Sequence, residues 1–316
     1  MTRFDRVIRA LFLTATLAQA SELGLSVVLE KDTFLPYEPV MGSVAVTNRS
    51  RHSVSIPDIG LYGTSAFEVA VVTDAGVVLR PVLAFPMEVP GEPTWQQHVL
   101  GPGEILSTPP CDIASGAGNL PWHDIFAALA PGQYSVKLKW DRRMATWSLD
   151  WTFDTSNVVS FTVREPDSSE QPAFLLYDSL ARYMDSLSMR EARFRVSDRL
   201  ARRIIRRNPD GLYAALARYA LWFGYAERRS YAGTWLRPKP AELRAWSDSL
   251  KSIECGIITS FPDSPVAELH LRRRPPRSKL DNLALLHDLL NKFPDSRVGR
   301  EAARQLKQLD DYRGNR

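Results

Sequence analysis

The chain has 316 residues, 44% of them hydrophobic and 10% aromatic, with a formal charge of +4. That composition excludes a disordered or low-complexity protein, and the length suits about two domains with separate cores. Beyond the N-terminal region no stretch reaches about 18 uninterrupted apolar residues, so no transmembrane segment is expected in the mature chain.

Arg3, Arg6 and Arg9 give the N-terminus a positive start, partly offset by Asp5. Ala10 to Ala18 follows as an apolar run too short to span a bilayer, and Ala18-Gln19-Ala20 places small residues where a signal peptidase needs them. The pattern predicts a signal peptide over residues 1–20, cut between Ala20 and Ser21. The competing reading is an amphipathic helix or an uncleaved anchor. No cysteine follows the apolar run, so there is no lipobox. A periplasmic or secreted protein is therefore expected, and export removes intracellular nucleic acid from its partners.

Leu23, Leu25, Val27 and Leu29 alternate in the period-2 pattern of a half-buried strand. Pro36 and Pro39 flank Tyr37-Glu38, and Val40, Gly42, Val44 and Val46 lead to turn residues Asn48-Arg49-Ser50. The runs Phe67 to Thr73 and Val77 to Leu83 read as a hairpin about Asp74-Ala75-Gly76. Gly101-Pro102-Gly103 and Pro131-Gly132 punctuate the chain before closing strands at residues 134–140, 146–153 and 158–163. Many short strands with almost no helical period favour a β-sandwich.

The stretch Phe34-Leu35-Pro36-Tyr37-Glu38-Pro39-Val40, running into Val44-Ala45-Val46-Thr47-Asn48, resembles the opening hairpin of bacterial immunoglobulin-like domains. Leu129-Ala130-Pro131-Gly132-Gln133-Tyr134 and Ser156-Asn157-Val158-Val159-Ser160-Phe161-Thr162-Val163 resemble their last two strands. The resemblance brackets residues 21–165 and implies an Ig-like β-sandwich. Domains of that kind serve in adhesion, as spacers or as inhibitors, and the matching residues are structural.

Residues 84–128 depart from a compact sandwich and read as a long irregular loop. The loop holds the ligand candidates Trp95, His98, Trp122, His123 and Asp124, together with Cys111 and Asp112. A His-Asp pair can serve as a base with its orienter or as metal ligands. Neighbours on an extended chain point to opposite sides, however, so His123 and Asp124 suit loop packing better than a shared ligand. No catalytic, metal or cofactor site is assigned. Trp140, Trp147 and Trp151 read as core filling in preference to a sugar-stacking row. Cys111 and Cys255 are the only cysteines, and an oxidising compartment would let them pair as a disulfide.

Glu165-Pro166-Asp167-Ser168-Ser169 opens a polar linker over residues 166–172, and an α-helical domain is expected over residues 173–316. Leu176, Leu180, Tyr183 and Leu187 follow helical spacing, as do Val196, Leu200 and Ile204. Asn208-Pro209-Asp210 reads as a helix start. Leu243, Trp246, Leu250, Ile253 and Ile257 form the clearest amphipathic stripe, taken as core. Phe261-Pro262-Asp263-Ser264 returns as Phe293-Pro294-Asp295-Ser296, with Val266 and Val298 two residues beyond each copy. A helix-turn-helix period near that spacing is similar to the tetratricopeptide repeat, which implies a helical array. An irregular helical bundle is the alternative. Arg272-Arg273-Arg274-Pro275-Pro276-Arg277 reads as a basic loop between helices.

Charge divides the chain unevenly. Residues 21–166 carry 9 basic and 16 acidic residues, whereas residues 167–316 carry 28 and 19. The Arg-rich half could meet an anionic surface, although mutual attraction of the two halves and solvated helix faces account for the same excess.

The chain therefore reads as a multidomain all-β plus all-α bacterial protein, exported and non-enzymatic, that acts as an interaction or scaffold protein. Its expected partner is another envelope or extracellular protein. The alternatives are carbohydrate binding or envelope hydrolase activity through residues 84–128, and a protease-inhibitor-like module. The sequence contains no Gly-x-Ser-x-Gly, no His-Glu-x-x-His and no phosphate-cradling Gly-rich loop.

Overall fold

The computed structural model describes residues 22–57, 67–79, 97–114, 129–140, 155–186, 191–230, 238–273 and 279–314. Strands precede helices, so the chain is of mixed content. Eleven strands and seven helices occur among the described residues. Packing divides the chain into two units. Among the described residues, one comprises those within 22–33, 40–114 and 132–162; the other comprises those within 34–39, 129–131 and 163–314.

In the β-rich unit, β1 (Leu23–Leu29) pairs antiparallel with β3 (Met41–Asn48), from Leu23 opposite Asn48 to Leu29 opposite Gly42. The alternation seen in the sequence sets this register. Leu23, Leu25 and Val27 are buried while Val28 on the other face is 66% exposed. A second sheet has the order β2 (Thr33–Phe34), β11 (Val159–Val163), β10 (Gly132–Trp140), β5 (Phe67–Thr73), β6 (Val78–Leu79). Val69 opposite Leu138 and Val71 opposite Val136 are buried, and Tyr134 stacks on Phe161 at 5.5 Å. The β5–β6 hairpin turns at Gly76, whose φ of 77° suits a residue without Cβ.

Residues 97–112 correct the expected irregular loop. They carry β7 (Gln97–Leu100), β8 (Ile105–Ser107) and β9 (Cys111–Asp112). β7 pairs with β4 (Val54–Pro57), while β8 and β9 both pair with β3. Gly101-Pro102-Gly103 and Pro109-Pro110 cut these strands too short for an alternation to show in the sequence.

Neutral side chains bonded to backbone tie this unit together. Asn48, fully buried, donates through Nδ2 to Leu100 O at 2.9 Å and His52 O at 2.8 Å, and its Oδ1 accepts from Ser50. Ser156 Oγ accepts from Leu138 N on β10, and Asn157 exchanges two hydrogen bonds with the backbone of Val27 on β1. A side-chain amide thus occupies backbone groups on an otherwise open strand edge.

The helical unit contains α1 (Gln171–Ser186), α2 (Glu191–Arg207), α3 (Leu212–Ser230), α4 (Pro240–Ser260), α5 (Pro265–Arg273), α6 (Lys279–Lys292) and α7 (Arg297–Gly314). The residues expected as a linker are ordered. Asp167 Oδ1 accepts from the backbone of Ser169 and Glu170, and Arg164 forms a two-pronged ion pair with Glu170. Asn208-Pro209-Asp210 does not start a helix. It forms the turn between α2 and α3, because Pro209 has no N–H to continue α2 and α3 begins only at Leu212.

The segment Phe34–Pro39 belongs to the helical unit, although its sequence reads as the opening of a hairpin. Glu38 N donates to Leu35 O to close a turn in which Tyr37 takes a φ of 67°. That conformation costs a residue with a Cβ about 1–3 kcal/mol, so the surroundings must hold it in place. The ring packs edge-on against Tyr177 at 5.0 Å and near Phe174, and its hydroxyl donates to Asp178 Oδ1 at 2.7 Å. Burial, then the bond to Asp178, pushes the Tyr37 phenol far above its ordinary range.

Candidate functional site

Phe261-Pro262-Asp263-Ser264 and its second copy occupy equivalent places, between α4 and α5 and between α6 and α7. In each copy the Ser N–H donates to the Phe carbonyl, at 2.9 Å for Ser264 and 3.1 Å for Ser296. In each copy the Ser hydroxyl oxygen then accepts from an N–H of the following helix, Val266 in the first and Gly299 in the second. Val266 and Val298 are both fully buried. The copies also touch, because Val298 N donates to Pro262 O at 3.0 Å. A repeated tetrapeptide has become a repeated helix-turn-helix joint.

Between these joints lies a buried ion network. Glu268 on α5 accepts from Arg272 at 2.8 Å through Oε1 and from Arg297 at 3.0 Å through Oε2. Glu301 on α7 accepts from Arg272 at 3.1 Å, from Gln305 at 2.8 Å and twice from Arg304. Arg272 therefore bridges α5 and α7. Burial raises the Glu268 carboxyl above its ordinary 4.5, against the opposing pull of Arg272 and Arg297. Burial also opposes ionisation of Glu301, but Arg304, Arg272 and Gln305 together outweigh it and hold that carboxyl below 4.5.

Each oxygen of these two carboxylates is already bonded to a guanidinium or amide, which suits them to fixing helices in place. Arg272 also corrects the expected basic loop, since it lies on α5 as an internal partner with a side chain only 19% exposed. The spacing of Glu268 to Arg272 and of Glu301 to Arg304 was available in the sequence as i,i+4 and i,i+3 pairs. The link between the two helices was not.

His270, two residues from both Glu268 and Arg272 on the chain, is fully buried and lies edge-on to Trp222 at 4.7 Å and Tyr219 at 5.8 Å. Sequence inspection gave it no role, and its ring contacts make it part of the packing between α3 and α5.

Of the loop candidates, His98 lies exposed on β7, opposite Ile56 in register. Trp95, Trp122, His123 and Asp124 fall outside the described residues, as do Ala20 and Ser21. Asp112 is buried, and its Oδ1 accepts from Val40 N and Ala114 N. Cys111 is buried with its thiol 3.6 Å from Gly42 O, and Cys255 is exposed on α4. Among the described residues no group of three His, Cys, Asp or Glu is placed to hold a metal ion. Among the same residues no helix is long and apolar enough to cross a membrane.

No protein-family model matches the chain, and no curated protein matches it. Among solved structures it is similar to the beta-glucosidase from Listeria innocua in complex with isofagomine. That match has 12% identity over 46% of this chain and 16% of that one, with a TM-score of 0.26. The same enzyme in complex with gluconolactone matches at 14% identity, with the same coverage and TM-score. The sporulation control protein Spo0M from Bacillus subtilis matches at 12% identity over 50% of this chain and 56% of that one, with a TM-score of 0.24. The chain thus spans about one-sixth of the glucosidase's length. Likeness at this level carries no argument about activity.

Proposed function

We propose that this chain is an exported, non-enzymatic interaction or scaffold protein of the bacterial envelope. In this reading an immunoglobulin-like β-sandwich precedes a tetratricopeptide-like helical array that binds a protein partner. The duplicated Phe-Pro-Asp-Ser joint carries the reading. Two helix-turn-helix units share one turn geometry and stack through Val298 and Pro262, which is how repeat arrays build an extended recognition face. The two acidic side chains buried nearby are committed to structural ion pairs, in keeping with a binding role. The mature chain begins at Ser21 and is periplasmic or secreted in this account.

Affinity capture on the full chain from an envelope extract tests the proposal. A protein retained specifically, then purified and shown by calorimetry to bind the chain directly, supports it. Retention of nothing above a blank matrix, or turnover of an envelope glycan by the purified chain, contradicts it.

A further inference from the structure

The outer face of α2 is a row of unneutralised arginines. Arg199, Arg203, Arg206 and Arg207 are all exposed, on the side opposite the buried Ala201 and Ile204. None of the four makes an ion pair among the described residues. The nearest acid on the helix, Asp198, is occupied by Arg202 at 2.9 Å and accepts from the Tyr225 hydroxyl at 3.4 Å. Elsewhere in the same unit Arg164, Arg182, Arg272, Arg297 and Arg304 are each paired with a carboxylate. The contrast matters because paired arginines attract nothing further, whereas like charges left together on one face create a field. Arg206 and Arg207 suit the negative end of the helix dipole, but Arg199 and Arg203 lie too far from that end for the same account.

The row is linear, about 12 Å long at the rise of a helix, and among the described residues the exposed positions of α2 are all arginine, with Val196 and Leu200 half-buried beside them. A specific protein interface would centre on a buried aromatic or aliphatic anchor, which these exposed positions lack. A plane of phosphodiesters needs no shape match and takes guanidinium groups at almost any lateral position. We propose that the outer face of α2 docks the protein peripherally on a bilayer of anionic phospholipids, through arginine–phosphate contacts. The proposal is independent of the protein-partner reading, which rests on α4 to α7.

The test is cosedimentation of the full chain with vesicles of phosphatidylcholine alone and of phosphatidylcholine with about 30% phosphatidylglycerol. The chain is expected to prefer the anionic vesicles, and Arg199→Glu with Arg203→Glu should reduce that preference about tenfold. The pair Arg244→Glu with Lys251→Glu makes the same charge change at exposed positions of α4 and should leave the preference within about twofold. Arg203→Ala with Arg206→Ala, a milder change, serves if the reversed pair fails to fold by circular dichroism. Equal binding to both vesicle types, or an equal loss from the α2 and α4 pairs, overturns the proposal. Retention on immobilised polyglutamate without any vesicle preference also overturns it, and assigns the face to an acidic protein instead.

Discussion

In the β-rich unit the buried polar side chains Asn48, Thr108, Ser156 and Asp112 bond to backbone, all but Asp112 being neutral, whereas the helical unit buries Glu268 and Glu301 as carboxylates among arginines. The difference follows from what each architecture leaves over. Short strands end with unpaired backbone groups, and a nearby amide or hydroxyl can supply the missing donor or acceptor. Helices satisfy their own backbone, so the polar groups left to arrange between them are side chains, and arginine reaches across to a carboxylate in a neighbouring helix. The two solutions respond differently to perturbation. A neutral link loses hydrogen bonds when it is broken, while an ionic link broken on one side leaves a charge buried.

The largest expected effect is in the helical unit. Arg272→Met removes the bridge between Glu268 and Glu301 and should destabilise that unit by about 3–4 kcal/mol, read from urea unfolding followed by helical circular dichroism. Asn48→Leu is the matching break in the β-rich unit. It strips donors from His52 O and Leu100 O and should cost about 2–3 kcal/mol, with hydrogen exchange accelerated in β3 and β7 first.

Gly299→Ala should destabilise by about 1–2 kcal/mol in the same unfolding assay. A Cβ there would collide with the Phe293 carbonyl, so the usual gain from replacing a helical glycine reverses sign. The first copy of the joint tolerates Ala267 at the equivalent position. Tyr37→Phe removes the bond to Asp178 while keeping the ring and should cost about 1 kcal/mol by thermal unfolding.

The smallest effect is a pH dependence with two opposed contributions. Glu268 has a raised carboxyl, so its ionised form costs stability at neutral pH, and that cost is relieved as the pH falls through its raised value toward 4.5. Glu301 has a lowered carboxyl, so the stability it adds is present above 4.5 and is lost as the pH falls through its folded value. Stability of the helical unit should therefore rise slightly on mild acidification and then drop. Glu268→Gln should abolish the rise and keep the drop, as measured by unfolding at a series of pH values.

Where one period dominates a long segment, the sequence was readable. The alternation of β1 and β3, the hairpin at Gly76 and the repeated Phe-Pro-Asp-Ser all appear in the structure as strands, a turn and paired joints. The stripe of α4 was readable too, although only Leu250 and Ile257 of its five residues are fully buried. Strands of two to four residues between prolines and glycines were not readable, because no period develops over that length. Nor was the Tyr37 turn, since its strained backbone is held by Phe174, Tyr177 and Asp178, more than a hundred residues away. The ion network was half readable. Its pairs within one helix follow a spacing rule, but Arg272 with Glu301 and Arg297 with Glu268 depend on how α5 and α7 cross.

The most direct test of the account is hydrogen exchange on the full chain, alone and saturated with the protein it captures from an envelope extract. Slowed exchange in peptides from residues 240–314, with residues 97–114 unchanged, is the expected result. Slowing confined to residues 97–114, or the failure of any protein to be captured, would contradict the assignment of recognition to the repeated helical joints.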